Sequence, residues 1–288
     1  MLVVAMASQK GGSGKTTLAG HLAVEAEKSG AGPVALIDTD PQGSLSHWWN
    51  ARAVRSPQFA QAGVFDLASV LNHLRRLGIK LAIVDTPPAI SESIAEVISR
   101  SDLVLVPTRP SPHDLRAVGA TVDIAERFER PLIFIVNAAT ARARITGEAA
   151  VALSQHGTVA PVTIHHRVDF AASMVDGRTV GEVSPKSASA KEVSDLWLYV
   201  QDRLARLKKS ETLASEARPQ DISAHMEDED FAEPLPPPVL HPAPKPYEGV
   251  DRRKEGRDRR EIPQDEVLFG GQERRTNRFG RRQADYFK

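Results

Sequence analysis

The stretch Gln9-Lys10-Gly11-Gly12-Ser13-Gly14-Lys15-Thr16-Thr17 decides how this chain folds. Before it, Leu2 to Ala7 form an apolar run suited to a short buried strand. After it, Leu18 to Ala26 carry a helical pattern. Strand, glycine-rich loop, Lys-Thr and helix, in that order, are the setting in which a phosphate-binding loop works. Glycines let backbone N–H groups converge on an anion, the helix N-terminus adds partial positive charge, and a lysine completes the cradle. A plain glycine turn would account for the glycines but not for the strand and helix around them.

Working outward, apolar runs alternate with amphipathic segments. Strands are expected at Pro33 to Ile37, Leu81 to Val84, Leu103 to Val106, Leu132 to Val136 and, less regularly, Val162 to Ile164. Helices are expected over Asp66 to Leu77, Ser91 to Ser99, His113 to Phe128, Val168 to Val175 and Ala188 to Lys208. The last places Val193, Leu196, Trp197, Val200 and Leu204 near one face, a core-docking stripe. This alternation predicts an α/β fold: a mostly parallel β-sheet flanked by helices, of the P-loop NTPase kind. The polar motifs all fall at strand C-terminal ends, the edge where open α/β sheets bind ligands.

Three motifs carry chemistry. Thr16, directly after Lys15, has the hydroxyl expected on Mg²⁺. Asp85, which ends an apolar strand in Asp85-Thr86-Pro87-Pro88, fits a metal-side carboxylate. Asp38 and Asp40, one residue apart in Asp38-Thr39-Asp40-Pro41-Gln42-Gly43-Ser44, point the same way from an extended strand and suit one metal. They serve equally to build a turn with Pro41 and Gly43. Nine histidines show no ligand-like spacing, and the pair His165-His166 reads as surface or interface.

Composition narrows the classes. Lys+Arg and Asp+Glu both number 37, so net charge points to no partner. The absence of cysteine removes disulfides and thiolate-held zinc or iron–sulfur clusters. Leu2 to Met6 is too short for a signal-peptide core, and no run approaches the ~18 apolar residues that cross a bilayer. A cytoplasmic location is the expectation. From 211 to 250 the chain is acidic and Pro-rich, a composition that buries no core and predicts a disordered linker. From 251 to 288 it is Arg-rich and repeats G-x-[DE]-R-R-x5-R-R at Gly249 and Gly271. This low-complexity tail is either a solvated segment or a tethered arm for DNA phosphates or an acidic partner.

The loop has Gln9 where the usual G-x-x-x-x-G-K-[ST] has glycine, and a second lysine, Lys10, before the glycine pair. This K-G-G-x-G-K-T form, with D-x-D-P-Q-G, D-T-P-P, P-S-x-x-D-L (Pro110 to Leu115) and a strand ending in Asn137, resembles the ParA/MinD family of deviant Walker A ATPases. The resemblance covers residues 1 to about 208 and looks most like the small plasmid-partition ParA proteins. It implies an ATP-binding set of Lys10, Gly11, Gly12, Ser13, Gly14, Lys15, Thr16, Thr17 and Asn137, the last at the adenine edge. It implies that Lys15 holds the β/γ-phosphates of its own nucleotide, that Lys10 reaches the partner's, and that Asp40 orients the attacking water. Thr16, Asp38 and Asp85 would serve Mg²⁺. Residues Pro107 to Leu115 would form a nucleotide-responsive segment near the dimer face.

The same resemblance implies an ATP-dependent homodimer that associates with the nucleoid by binding DNA without sequence preference. Arg167, Lys186 and Lys191 are the candidate contacts. It also implies a ParB-like or other partner that stimulates hydrolysis, and a cargo such as a plasmid, chromosome region or protein cluster. The missing cysteines argue against the related nitrogenase iron protein and cluster scaffolds. No membrane is implied, since Phe279, Tyr286 and Phe287 among arginines make a poor apolar face. An ATP-gated adaptor that acts through its tail without DNA is the alternative. A biosynthetic amidoligase would need a substrate-binding elaboration that this compact domain lacks.

Overall fold

A computed structural model describes residues 1–88 and 91–216. Seven parallel strands form one sheet in the order β3-β2-β4-β1-β5-β6-β7. They are β1 (Leu2–Met6), β2 (Val34–Asp38), β3 (Gln58–Gln61), β4 (Leu81–Asp85), β5 (Leu103–Thr108), β6 (Leu132–Val136) and β7 (Thr158–Val159). The central strands are apolar throughout because helices cover both faces, as parallel sheets require. On one face Val4, Met6, Leu36, Ile83, Leu105 and Ile135 pack against α1 (Lys15–Lys28) and α10 (Ala188–Glu216). On the other, Val3, Ala5, Ile37 and Val84 meet α3 (Leu67–Arg76), while Val104, Val106, Phe134 and Val136 meet α4 (Ser91–Ser99) and α6 (Gly119–Arg127). The remaining helices are α2 (Ser44–Asn50), α5 (Pro112–Ala117), α7 (Arg144–Ser154), α8 (Val168–Met174) and α9 (Val180–Val183).

The topology explains why distant motifs meet. Strand β1 lies between β4 and β5, and the chain winds away from it in both directions, so a crevice opens at the C-terminal ends of these strands. Register does the rest. Met6 pairs with Asp85, and Asp38 pairs with Asp85 from the other side. The two carboxylates therefore sit side by side, directly below the loop that leaves β1.

Several sequence expectations need correcting. Val162 to Ile164 is not a strand; β7 lies earlier, and the 164 region joins the sheet edge only through a bridge between Ala139 and His165. The helix expected over 113–128 is two, α5 and α6, divided at Val118. Helix α10 continues past the expected end at Lys208 and past the expected domain limit at 210, to Glu216. Residues 217–288, which hold most of the acidic linker and all of the arginine tail, lie outside the described residues. The docking stripe is as expected: Val193, Leu196, Trp197, Val200 and Leu204 are all buried.

Candidate nucleotide site

The loop after β1 is shaped by two left-handed glycines, Gly12 (φ 72°) and Gly14 (φ 98°), a conformation that L side chains rarely adopt. Gly14 is crowded as well, since a Cβ there would collide with the Asn137 amide. That amide donates to the Ser13 carbonyl (2.6 Å), so Asn137 grips the loop from the end of β6. Lys15 is buried and its Nζ donates to the Ser8 carbonyl at 3.1 Å. Burial pushes the Lys15 pKa down, opposed by the charges of Asp85 and Asp40. Lys10 is exposed.

Below the loop, Thr16 Oγ1 donates to Asp85 Oδ2 at 2.6 Å. The other Asp85 oxygen, Oδ1, is buried and without a hydrogen-bond partner. Burial raises the Asp85 pKa to about 7, with Asp38 and Asp40 adding to the rise while Thr16 and Lys15 oppose it. A buried carboxylate with one unpartnered oxygen, a hydroxyl beside it and two more carboxylates nearby is a donor set that suits a hard cation. No cluster of three or more His, Asp or Glu side chains that could hold an ion occurs among the described residues.

The two aspartates of the next motif differ. Asp38 is fully buried and its oxygens are occupied within the turn: Oδ1 accepts from Asp40 N (3.1 Å), and Oδ2 accepts from Ser46 N and Oγ (both 2.8 Å). Asp40 is half-buried and accepts only from Gln42 N (2.9 Å). Thr39 locks this turn to β4, its N and Oγ1 both donating to the Asp85 carbonyl (3.1 and 2.6 Å).

A cavity of about 670 Å³ opens beside these groups. Gly11, Gly12, Gly14, Lys15, Thr16, Thr17, Asp40 and Asn137 line it; Lys10, Ser13, Asp38 and Asp85 do not. The sequence reading missed Thr86, Arg109 and the wall formed by Ile164, His165, His166 and Phe170. Arg109 stands over the loop, 3.3 Å from where a Gly12 Cβ would lie, and belongs to the Pro107 to Leu115 segment that was read only as a whole. The His165-His166 pair, read as surface or interface, also lines the cavity; His166 is exposed and His165 half-buried. Arg167 joins it there, its guanidinium donating to Glu192 at 2.6 and 2.8 Å. Lys186 and Lys191 line a different pocket at the start of α10, and Lys191 pairs with Asp195 (2.8 Å). Arg167 thus lines one pocket and Lys186 and Lys191 another, with Glu192, the partner of Arg167, next to Lys191 in α10.

Residues 4–180 match the model of the CobQ/CobB/MinD/ParA nucleotide binding domain, more than half of the chain. The chain belongs to this family. Maintenance of carboxysome distribution protein A of Gloeobacter kilaueensis is 43% identical over 127 residues, covering 42% of this chain and 55% of that protein. The protein of the same name from Halothiobacillus neapolitanus is 28% identical over 202 residues, covering 66% and 91%. Among solved structures, the septum site-determining protein MinD of Pyrococcus horikoshii, complexed with Mg-ADP, superposes with a TM-score of 0.59 at 18% identity over 71% of this chain and 97% of that one. That last likeness is one of fold.

Proposed function

We propose that this member of the family is a Mg²⁺-dependent ATPase that dimerises around ATP and positions a cargo. In this reading the loop and Lys15 hold the phosphates. Thr16 and Asp85 hold the ion, whose charge would offset that of the phosphates, and Asp38 braces the turn that aims Asp40 at the attacking water. The observation that carries the reading is the unlike setting of two lysines on one loop. Lys15 is buried against the cavity, while Lys10, five residues away, is exposed and contributes nothing to the cavity wall. A cation held outside its own site is available to a second subunit. Cargo positioning is supported by the carboxysome-distribution relatives, and the metal by the Mg-ADP complex of similar fold.

Nonspecific DNA is the proposed track, with Lys186 and Lys191 as contacts; Arg167, committed to Glu192, is the weakest of the three candidates. A ParB-like or other partner would stimulate hydrolysis. The adaptor alternative gains from the ion pairs that occupy Arg167 and Lys191. One set of assays separates the two. With Mg-ATP at low salt, DNA retards the wild-type chain and a chain ending at 216, and retardation falls steeply as salt rises. Asp40→Ala keeps DNA retardation but loses turnover at least a hundredfold, and Lys15→Ala loses both. Retardation that needs residues 217–288 moves the DNA contact to the arginine tail. No retardation in either chain favours the adaptor.

A further inference from the structure

The phosphate loop and residues 164–167 both line the cavity, and a single carboxylate holds two side chains of the latter. Residues 164–167 are irregular chain between β7 and α8, joined to the end of β6 and the loop after it by backbone bonds from Ile164 N to Val136 O (2.9 Å), Ala139 N to Ile164 O (3.1 Å) and His166 N to Ala139 O (2.9 Å). Those bonds fix the backbone. The side chains that face the cavity are held by Glu192, in the second turn of α10. Its Oε2 accepts from Arg167 Nη1 (2.6 Å) and His165 N (3.1 Å). Its Oε1 accepts from Arg167 Nη2 (2.8 Å) and makes a 2.8 Å hydrogen bond with His165 Nδ1.

This differs from the ion pairs formed within one helix. Lys191–Asp195, Arg144–Glu148 and Arg206–Asp202 are exposed partners four residues apart on one helix, worth little. Glu192 is only 15% exposed in its side chain and reaches 25 residues back to Arg167 in a two-pronged, charge-assisted pair. Both residues it holds line the cavity.

We propose that Glu192 is a positioning residue for the nucleoside end of the cavity: it presents His165 and Arg167 as the wall against which the nucleotide seats beyond its phosphates. The proposal rests on the nucleotide reading above. A triphosphate on the loop leaves its sugar and base to fill the remaining space toward this wall. Glu192 touches none of the ligand and acts through the two residues it fixes, as a supporting shell does. It also ties nucleotide occupancy to the first turns of α10, where Lys191 stands.

Calorimetric titration of the full chain with Mg-ATP and, separately, with Mg-tripolyphosphate tests this. The inorganic ligand takes the loop and leaves the wall untouched. Glu192→Gln, which keeps the shape and loses the charge, weakens ATP about tenfold and leaves tripolyphosphate unchanged. Arg167→Met gives the same pattern, and the double variant is no worse than either single one, since the two act as a unit. Unchanged ATP affinity in both variants overturns the proposal. So does an equal loss for both ligands, which is the mark of general damage. A wild-type chain that binds tripolyphosphate as tightly as ATP overturns the wall's role while sparing the loop's. A wild-type chain that binds neither overturns the nucleotide reading itself.

Discussion

At the scale of single residues, the site is a set of buried polar groups held in costly states. Asp85 carries an unpartnered oxygen, and Lys15 is pulled from solvent. His21 is a further case. It is buried on α1, with Nδ1 2.8 Å from the Thr17 carbonyl and Nε2 accepting from Val180 N (3.2 Å), which requires the neutral ring with its proton on Nδ1. Burial lowers its pKa to about 4. The unfolded chain takes up this proton near pH 6.5 and the folded chain only near 4, so stability falls as pH drops through that window, by about 3 kcal/mol at most. Asp85 works with opposite sign, because its raised pKa favours the folded state at low pH and this share is lost as pH rises from about 4 to 7. Urea unfolding at pH 7 and pH 4.5 should therefore be compared between wild type and His21→Gln, in which Asp85 is common to both. The difference in stability between the two proteins should narrow at the lower pH. A difference that is the same at both would contradict the neutral assignment.

At the scale of elements, legibility in the sequence followed burial. Strands β1, β2, β4, β5 and β6 are unbroken apolar runs and were readable to within a few residues. Strand β3 was not, because Gln58–Gln61 lies at the sheet edge with two exposed glutamines and shows no apolar run. Helix α7 was missed for a similar reason: only Ala149 and Leu153 are buried, too few to mark a stripe. In the site, the loop and the two acidic motifs were legible because their spacing is fixed by glycine geometry and strand ends. The 164–171 wall was not, since it is set by long-range bonds, from its backbone to Val136 and Ala139 and from His165 and Arg167 to Glu192, which no local pattern encodes. Helix α10 is the element that anchors this side of the fold. Trp197 is 2% exposed, and its Nε1 donates to Ser29 Oγ at 2.7 Å, fastening α10 to the end of α1. Trp197→Ala should cost about 3–5 kcal/mol in denaturant unfolding. A loss below about 1 kcal/mol would mean that α10 is not part of the cooperative core.

At the scale of the whole molecule, the account makes the chain half of a machine. In the proposed function each subunit would supply a phosphate cradle and a carboxylate for water, and would lend one lysine across the interface. No described helix is long and apolar enough to cross a membrane. Mass by light scattering tests the shared lysine most directly, using Asp40→Ala to stop turnover. With Mg-ATP this variant should double its mass, and with ADP or no nucleotide it should stay at one chain. Adding Lys10→Ala to it should keep ATP bound and return the mass to one chain. A single-chain mass for Asp40→Ala in saturating Mg-ATP, or a normal dimer without Lys10, would contradict the shared-lysine account.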